Sequence, residues 1–197
     1  MKIIGLCGGS GSGKGMVARL FSEFGYLHID TDEVYHRLTS GSSCCLDELA
    51  SVFGDRIIAK DGSLDRRVLA GIVFAEGGEA LREQLNAISH RHVLDEVRRI
   101  IDANAGKYTA ALVDAPLLFE SGFDKECEFV IAVIAPLDVR VSRVIERDNI
   151  TREAAISRIS TQISDEALVA RSDFVINNDA DVESLRVAVE QIVAEIN

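Results

Sequence analysis

The chain lacks three features that would each assign it to a particular class of protein. Its longest apolar run, 129–135, ends at Pro136, far short of the ~20 residues of a membrane-spanning helix. Its 21 basic residues are outnumbered by 32 acidic ones, and the net charge of −11 argues against general binding to nucleic acid or anionic membranes. Its four cysteines include no Cys-x-x-Cys pair, so a thiolate zinc site is not expected.

Further absences narrow the setting of the protein. The sequence has no internal repeat and no low-complexity segment, and its 197 residues suit one domain with a substantial core. The first residues do not have the layout of a signal peptide, and the scattered cysteines are typical of reduced thiols. We therefore expect a cytoplasmic protein that is a monomer or a weak homo-oligomer. His90 and His92 do not indicate a metal site, because side chains two apart on a helix point to different faces.

A glycine-rich loop near the N-terminus is the strongest positive signal. Gly8-Gly9-Ser10-Gly11-Ser12-Gly13-Lys14-Gly15 follows the apolar run 3–7 and precedes a helical pattern at 17–21. It fits G-x-x-x-x-G-K-[ST] except at the last position, where Gly15 replaces Ser or Thr. Such a loop turns its N–H groups toward phosphate oxygens, and Lys14 supplies a charge for the β- and γ-phosphates. The alternative is a flexible turn, but the strand–loop–helix context predicts a nucleoside triphosphate site.

The missing hydroxyl at Gly15 affects how a metal ion would be held. The Ser or Thr at this position normally ligates Mg²⁺ directly. Because Mg²⁺ keeps several waters and uses few protein ligands, we expect it to be bound through water with help from a carboxylate. The carboxylates predicted for this role are Asp32 and Asp114.

Short apolar runs alternate with longer helical patterns, which predicts a doubly wound α/β fold with a mostly parallel five-stranded sheet flanked by helices. The predicted strands are Lys2–Cys7, Tyr26–Ile29, Ala110–Asp114, Phe129–Ile134 and Asp173–Ile176. The predicted helices are Lys14–Phe24, Asp32–Thr39, Leu46–Phe53, Arg66–Ala75, Glu79–Asn104, Leu137–Arg147, Arg152–Ser164 and Val182–Glu195. In such folds, ligands bind at the carboxyl ends of the strands.

Two segments are too long to be simple crossovers between strands. The stretch 40–108 is mostly helical and is predicted to form a lobe that binds a second substrate, within a single domain 1–197. The helical pair at 137–164 is rich in arginine and is predicted to form a lid.

Carboxylates lie at the predicted ends of two strands. Asp30 and Asp32 close the second strand, where they could accept a hydroxyl proton or bind the metal, or could simply cap the following helix. Asp114 is placed like the carboxylate that accompanies a phosphate loop, although it could also be a turn residue before Pro116. Local sequence leaves both alternatives open.

Arginines are concentrated in the predicted lid. Arg140, Arg143 and Arg147 share one helical face by their spacing, and Arg152 and Arg158 follow. Guanidinium groups suit a transferring phosphoryl group, whose charge is spread over several oxygens. The alternative is a solvated face on which these arginines pair with Glu146, Asp148 and Glu153.

These residues together make the chain resemble the dephospho-CoA kinases, a family of P-loop kinases, over nearly its full length. The resemblance rests on Gly8–Lys14, Ile29-Asp30-Thr31-Asp32 with Arg37, Asp61–Arg67 with Phe74, Ile88-Ser89-His90, Val113–Glu120, Arg143, Arg147–Thr151, Gln162, Ser172-Asp173 and Asn177. The family transfers the γ-phosphoryl group of ATP to the ribose 3′-hydroxyl of dephospho-CoA, with Mg²⁺. It implies a P-loop core, a helical acceptor lobe and a lid.

Roles follow from the resemblance position by position. The implied catalytic residues are Asp32 as the base, Lys14 and Arg143. The implied ATP-binding residues are Gly9, Ser10, Gly11, Ser12, Gly13, Lys14, Gly15, Met16 and Arg147. The implied substrate-binding residues are Asp32, Arg37, Arg67, His90, Asp114 and Leu117. The chain departs from the family at Gly15-Met16, where Ser/Thr is usual, and at His90-Arg91, where the family has His-Pro.

Two other functions share parts of this pattern. A nucleoside or nucleotide kinase would have the same loop, base and lid, and differ in the acceptor. A nucleotide-binding regulator with weak turnover would explain Gly15, but not the presence of Asp32, Lys14 and the lid arginines. A signalling GTPase is disfavoured because the chain has no Asn-Lys-x-Asp segment.

Overall fold

The computed structural model describes residues 1–196 and contains a five-stranded sheet with helices around it. The strands are β1 (Lys2–Cys7), β2 (Leu27–Asp30), β3 (Ala110–Asp114), β4 (Phe129–Ile134) and β5 (Phe174–Asn177). Their order is β2-β3-β1-β4-β5. β1 pairs in parallel with both β3 and β4, and β4 pairs in parallel with β5. The predicted doubly wound α/β fold is confirmed, with β1 at the centre of the sheet.

Helices connect these strands in the alternating pattern that the sequence predicts. They are α1 (Lys14–Glu23), α2 (Thr31–Thr39), α3 (Cys44–Phe53), α4 (Arg66–Val73), α5 (Glu79–Ala103), α6 (Leu137–Asp148), α7 (Arg152–Ser160), α8 (Asp165–Ala170) and α9 (Val182–Ile196). Short 3₁₀ turns cover Asp55–Ile57 and Phe123–Glu126. Within 1–196, none of the helices combines the length and the apolar character that spanning a membrane requires.

The chain divides into two compact units. The first unit consists of Met1–Ile29 and the residues from Asn104 onward, and it holds the sheet. Its core is formed where the strands β1, β3 and β4 meet α1 and α9, and side chains such as Leu6, Phe21 and Ile131 are fully buried there. The strands are apolar almost throughout because both faces of a parallel sheet are covered.

The second unit, Asp30–Ala103, is helical and has a core of its own. The long helix α5 packs against α2, α3 and α4. The buried side chains Leu49, Phe53 and Ile57 belong to this separate cluster. The unit therefore has the independent apolar centre that a compact domain or lobe needs.

The predicted strand bounds agree with the structure to within one residue, and most helix bounds to within two. The predicted helix Arg152–Ser164 is wrong at its C-terminal end, because α7 ends at Ser160 and a separate helix α8 begins at Asp165. The reason is local: the Ser164 hydroxyl accepts a hydrogen bond from the Ala167 N–H at 3.2 Å and starts a new helix. At His90-Arg91, where the sequence departs from the His-Pro pair of the family it resembles, the helix α5 continues without interruption through its 25 residues.

Candidate active site

The glycine loop connects the end of β1 to the start of α1. Gly13 caps α1 in the left-handed region with φ of 95°, and a Cβ there would lie 1.9 Å from Asn178 Nδ2. Glycine is therefore required at this position both by backbone conformation and by space. As at any helix start, the N–H groups of Lys14 and Gly15 have no acceptor one turn earlier, so this end of α1 can receive an anion.

Lys14 and Asp114 form an ion pair beside the loop. Their Nζ and Oδ1 atoms are 3.1 Å apart, and only 16% and 9% of their side chains are exposed. Asp114 is the last residue of β3, which pairs with β1 in a register that matches Leu6 with Asp114. Asp114 therefore lies, as predicted, at the end of the strand next to the loop. Its carboxylate contacts the lysine that is expected to bind phosphate.

A second set of contacts holds the backbone of the loop. Asn178, which follows β5, donates from Nδ2 to the carbonyl of Ser12 at 2.7 Å. Arg143 Nη1 donates to the carbonyls of Gly11 and Ser12 at 3.2 and 3.4 Å, and its Nη2 donates to the carbonyl of Asn178 at 3.3 Å. These side chains donate hydrogen bonds to carbonyl groups of the loop. They therefore stabilise a conformation in which N–H groups of the loop can face a phosphate.

Arg140 is buried on the same helix and contacts a different part of the loop. Its Nε donates to the carbonyl of Ser10 at 3.0 Å, and its Nη1 forms an ion pair with Asp165 at 2.8 Å. Its Nη2 lies 3.4 Å from Gln162 Oε1. The guanidinium is therefore directed into the protein and is surrounded by protein acceptors.

Arg147 is the exposed member of the three arginines. It forms a bidentate pair with Asp148, at 2.7 and 2.9 Å, and 61% of its side chain is exposed. This hydrogen bonding, joined by a contact from Arg158, lowers the pKa of Asp148 to about 2. The three arginines thus have different environments: Arg140 is buried, Arg143 contacts the loop, and Arg147 pairs with Asp148 at the surface. For Arg147, the predicted alternative of a solvated face with acidic partners is correct for its pairing with Asp148.

The two aspartates at the end of β2 have different local roles. Asp30 caps α2, because its Oδ1 accepts hydrogen bonds from the N–H groups of Asp32 and Glu33 at 2.8 and 3.2 Å. Asp32 lies in the first turn of α2 with its side chain exposed. Of the two alternatives for this segment, capping applies to Asp30.

The remaining predicted substrate residues lie mostly in the second unit. Arg37 in α2 and Arg67 in α4 are exposed, and His90 in α5 is half-buried. Leu117 lies in the first unit, after β3, with 47% of its surface exposed. In the same unit, the Arg66 guanidinium lies over the ring of Tyr35, 5.2 Å from its centroid. Exposed arginines of this kind are available to an anionic ligand.

The neighbourhood of the loop offers oxygen donors and little else for a metal. Over residues 1–196, no three His, Cys, Asp or Glu side chains group as a metal cluster would require. Burial raises the pKa of the Cys7 thiol to about 11, so this neighbour of the loop is a neutral thiol. A Cβ built on Gly15 would meet nothing within 4 Å. The Asp114 carboxylate fits an ion that keeps most of its waters, as Mg²⁺ does.

Sequence reasoning missed three residues of this site. Asn178 received no role, although its place directly after β5, at the carboxyl edge of the sheet, is a usable signal. Gln162 was noted only as part of the family resemblance, and Asp165 not at all. The contacts of Gln162 and Asp165 with Arg140 depend on the break between α7 and α8, which the helical pattern did not predict.

Comparison with known proteins identifies the family of the chain. The family model for dephospho-CoA kinase matches residues 2–184. A dephospho-CoA kinase from Fusobacterium nucleatum is 39% identical over 189 residues, covering 96% of this chain and 95% of that protein. A crystal structure of a Thermus thermophilus protein has a TM-score of 0.83 and 31% identity, covering 100% and 98% of the two chains. The dephospho-CoA kinase of Campylobacter jejuni, at 24% identity and a TM-score of 0.69, covers 100% of this chain and 98% of its own and has the same fold. The chain therefore belongs to the dephospho-CoA kinase family.

Proposed function

We propose that this chain transfers the γ-phosphoryl group of ATP to the ribose 3′-hydroxyl of dephospho-CoA, giving coenzyme A and ADP in the last step of coenzyme A synthesis. The observation that carries the proposal is the buried ion pair of Lys14 and Asp114 beside a glycine loop, in a member of this family. A lysine held in this way has a defined position for a phosphate oxygen before any ligand binds.

The nucleotide is bound by the loop. We assign its phosphates to the backbone of 9–16, with Lys14 as the cation that contacts the β- and γ-phosphates. Arg143 is already next to the loop, through its contacts with Gly11 and Ser12, and we assign it a catalytic role on the transferring group. Arg147 reaches the phosphates only by leaving Asp148, which an exposed side chain can do at small cost.

The acceptor is bound by the helical lobe, which we place at 40–108, and closure is assigned to the lid 137–164. The substrate residues proposed are Asp32, Arg37, Arg67, His90, Asp114 and Leu117. Several are exposed and basic, as recognition of the phosphates and ribose of dephospho-CoA requires. The independent core of the unit Asp30–Ala103 supports a separate acceptor-binding role.

Asp32 acts as the general base. Its carboxylate accepts the proton of the 3′-hydroxyl, the oxygen attacks the γ-phosphorus, and the bond to the bridging oxygen breaks to release ADP. Lys14 and Arg143 offset the charge of the transferring group. Asp30 supports this role by capping α2, because it satisfies the N–H of Asp32 and leaves the Asp32 carboxylate exposed.

Mg²⁺ fits this site through water. When bound, it would neutralise part of the charge on the phosphates. Asp114 is the buried carboxylate best suited to hold it, with Asp32 as the second. No hydroxyl is present at Gly15 for direct ligation, so the carboxylates take over that contribution.

The proposal is tested by measuring ADP release with purified enzyme, ATP and Mg²⁺. We expect rapid release with dephospho-CoA, a product heavier by one phosphoryl group at the 3′ position, and only background rates with nucleoside monophosphates. Preference for a nucleoside monophosphate would instead identify a nucleotide kinase. ATP binding without turnover on any acceptor would identify a regulator.

The proposal also covers the cellular location and the oligomeric state of the enzyme. All four cysteines of the chain are free thiols in the structure over residues 1–196. We expect the enzyme to act in the reducing cytoplasm, as a monomer or weak homo-oligomer on a small-molecule substrate. Light scattering of the purified protein, with and without dephospho-CoA, measures its oligomeric state.

A further inference from the structure

We propose that Arg140 is a positioning residue, which shapes the glycine loop for ATP by fastening Ser10 to the segment between α7 and α8. The inference rests on the proposed function, since it concerns how the same loop binds ATP. It assigns Arg140 no contact with the nucleotide. Arg140 acts only through Ser10, Gln162 and Asp165.

The first observation is that Ser10 is held by all of its polar groups. Its carbonyl accepts from Arg140 Nε at 3.0 Å, and its N–H donates to Gln162 Oε1 at 2.9 Å. Its hydroxyl accepts from Gln162 Nε2 at 3.1 Å. Arg140 Nη2 also approaches Gln162 Oε1, at 3.4 Å. Ser10, Gln162 and Arg140 therefore form a closed ring of hydrogen bonds, which fixes one side of the loop.

The second observation is that the charge of Arg140 is committed to the protein interior. The residue is only 4% exposed, and its partner Asp165 lies at 2.8 Å. A buried guanidinium requires a paired anion, so Arg140 cannot leave Asp165 for a phosphate without a large penalty. Arg143 and Arg147 on the same helix are more exposed and remain free of this restriction.

The third observation is steric. A Cβ at Gly9 would lie 2.0 Å from Arg140 Nη2 and 3.1 Å from Gln162 Oε1. The guanidinium therefore packs directly on the backbone of the loop, in the space that a side chain at residue 9 would fill. A chain with any larger residue at this position could not form the ring without displacing Arg140.

As a consequence, different N–H groups of the loop bind different partners. The N–H of Ser10 donates to Gln162 and that of Ser12 to the Gly9 carbonyl, whereas the N–H groups of Lys14 and Gly15 at the start of α1 remain for phosphate. Without Arg140, the loop would sample other conformations, and ATP would have to order it on binding. This cost falls on nucleotide affinity, whereas the groups that carry out the transfer are unchanged.

The test compares Arg140→Lys with Arg186→Lys, which alters a surface ion pair with Glu23 in the same unit. For Arg140→Lys we expect the Kd for ADP and the KM for ATP to rise about tenfold, with kcat and the KM for dephospho-CoA changed less than about twofold. Arg186→Lys should match the wild type in all four constants. Thermal unfolding of each variant reports the folded state.

If Arg140→Lys folds poorly, Gln162→Ala tests the same ring at a residue that is only partly buried. We expect the Kd for ADP to rise about fivefold in this variant. In the double variant, the Kd should rise by less than the product of the two single effects, because both changes break the same ring. A Kd for ADP within about twofold of the wild type in folded Arg140→Lys or Gln162→Ala would overturn the proposal. So would a fall in kcat at unchanged KM for ATP.

Calorimetric titration with ADP needs no acceptor and therefore separates this inference from the proposed function. If wild-type enzyme binds ADP and fails to phosphorylate dephospho-CoA, the proposed function fails and the binding comparison between Arg140→Lys and Arg186→Lys still decides the role of Arg140. If the enzyme is active and the two variants bind ADP equally, the role of Arg140 fails alone.

Discussion

The glycine loop and the residues of the helical unit that we propose bind the acceptor differ in how many contacts hold them. Around the loop, buried or half-buried groups from α6, β3 and the segment after β5 contact the backbone or Lys14. In the helical unit, Asp32, Arg37 and Arg67 are exposed on helix surfaces. The loop is organised before a ligand arrives, whereas the proposed acceptor residues are exposed polar side chains.

The difference has a physical reason. Phosphate groups are small, rigid and highly charged, so fixed dipoles and a fixed lysine stabilise them best. An acceptor with a long flexible arm and several charged groups is better met by long side chains that adjust to it. Substitutions at the loop should therefore change nucleotide binding and stability together. Substitutions in the helical unit should change turnover or the KM for the acceptor and leave nucleotide binding unchanged.

The largest effect is expected for Asp32→Asn. Loss of the base should lower kcat by about 10³-fold, within the range typical of general-base catalysis, while the Kd for ADP stays near that of the wild type. Steady-state kinetics and calorimetry measure the two quantities. Glu33→Gln, the neighbouring exposed carboxylate in the same turn, is the matched control and should retain activity. Full activity in Asp32→Asn would show that another group accepts the proton.

Asp114→Asn should follow, with kcat/KM for ATP lowered about 100-fold, because Lys14 loses its buried anionic partner and the metal loses a carboxylate. The rate as a function of Mg²⁺ concentration should also shift to higher concentrations. Glu23→Gln, which removes a surface partner of Arg186, is the control. An unchanged Mg²⁺ requirement would exclude Asp114 from holding the metal.

Asn178→Ala tests the firmness of the loop itself. Removing the donor to the Ser12 carbonyl should lower the free energy of unfolding by about 1–2 kcal/mol and weaken ADP binding at the same time. Chemical denaturation and calorimetry measure both. The adjacent exposed Asn177→Ala should change neither. A loss of stability with normal ADP binding would mean that the loop keeps its shape without this contact.

Gly15→Ser should give the smallest effect. The position has space for a side chain, so the hydroxyl should be accommodated, with kcat within about twofold of the wild type and a lower Mg²⁺ requirement. Gly15→Ala adds the same Cβ without the hydroxyl and should leave the requirement unchanged. Collapse of activity in both folded variants would reveal a steric need for glycine that the open space does not suggest.

Much of the fold was predictable because its signals are local. The strands of the sheet are continuous apolar runs, and the glycine loop is recognisable from spacing alone, since its chemistry requires those residues at those intervals. The three arginines of α6 show the limit of this reasoning. Spacing places Arg140, Arg143 and Arg147 on one face, but cannot say which neighbour each one meets.

Local sequence is enough to predict the α/β alternation, the phosphate loop with Lys14, and the carboxylates Asp32 and Asp114 as candidates for chemistry, because each depends on residues close together in the chain. The folded chain is needed to show that Asp114 pairs with Lys14, that Asn178 and Arg143 hold the loop, and that Arg140 is buried against Gln162 and Asp165. Those contacts join residues 22 to 166 positions apart. Their partners are set by strand order and by the break between α7 and α8, which no local pattern specifies.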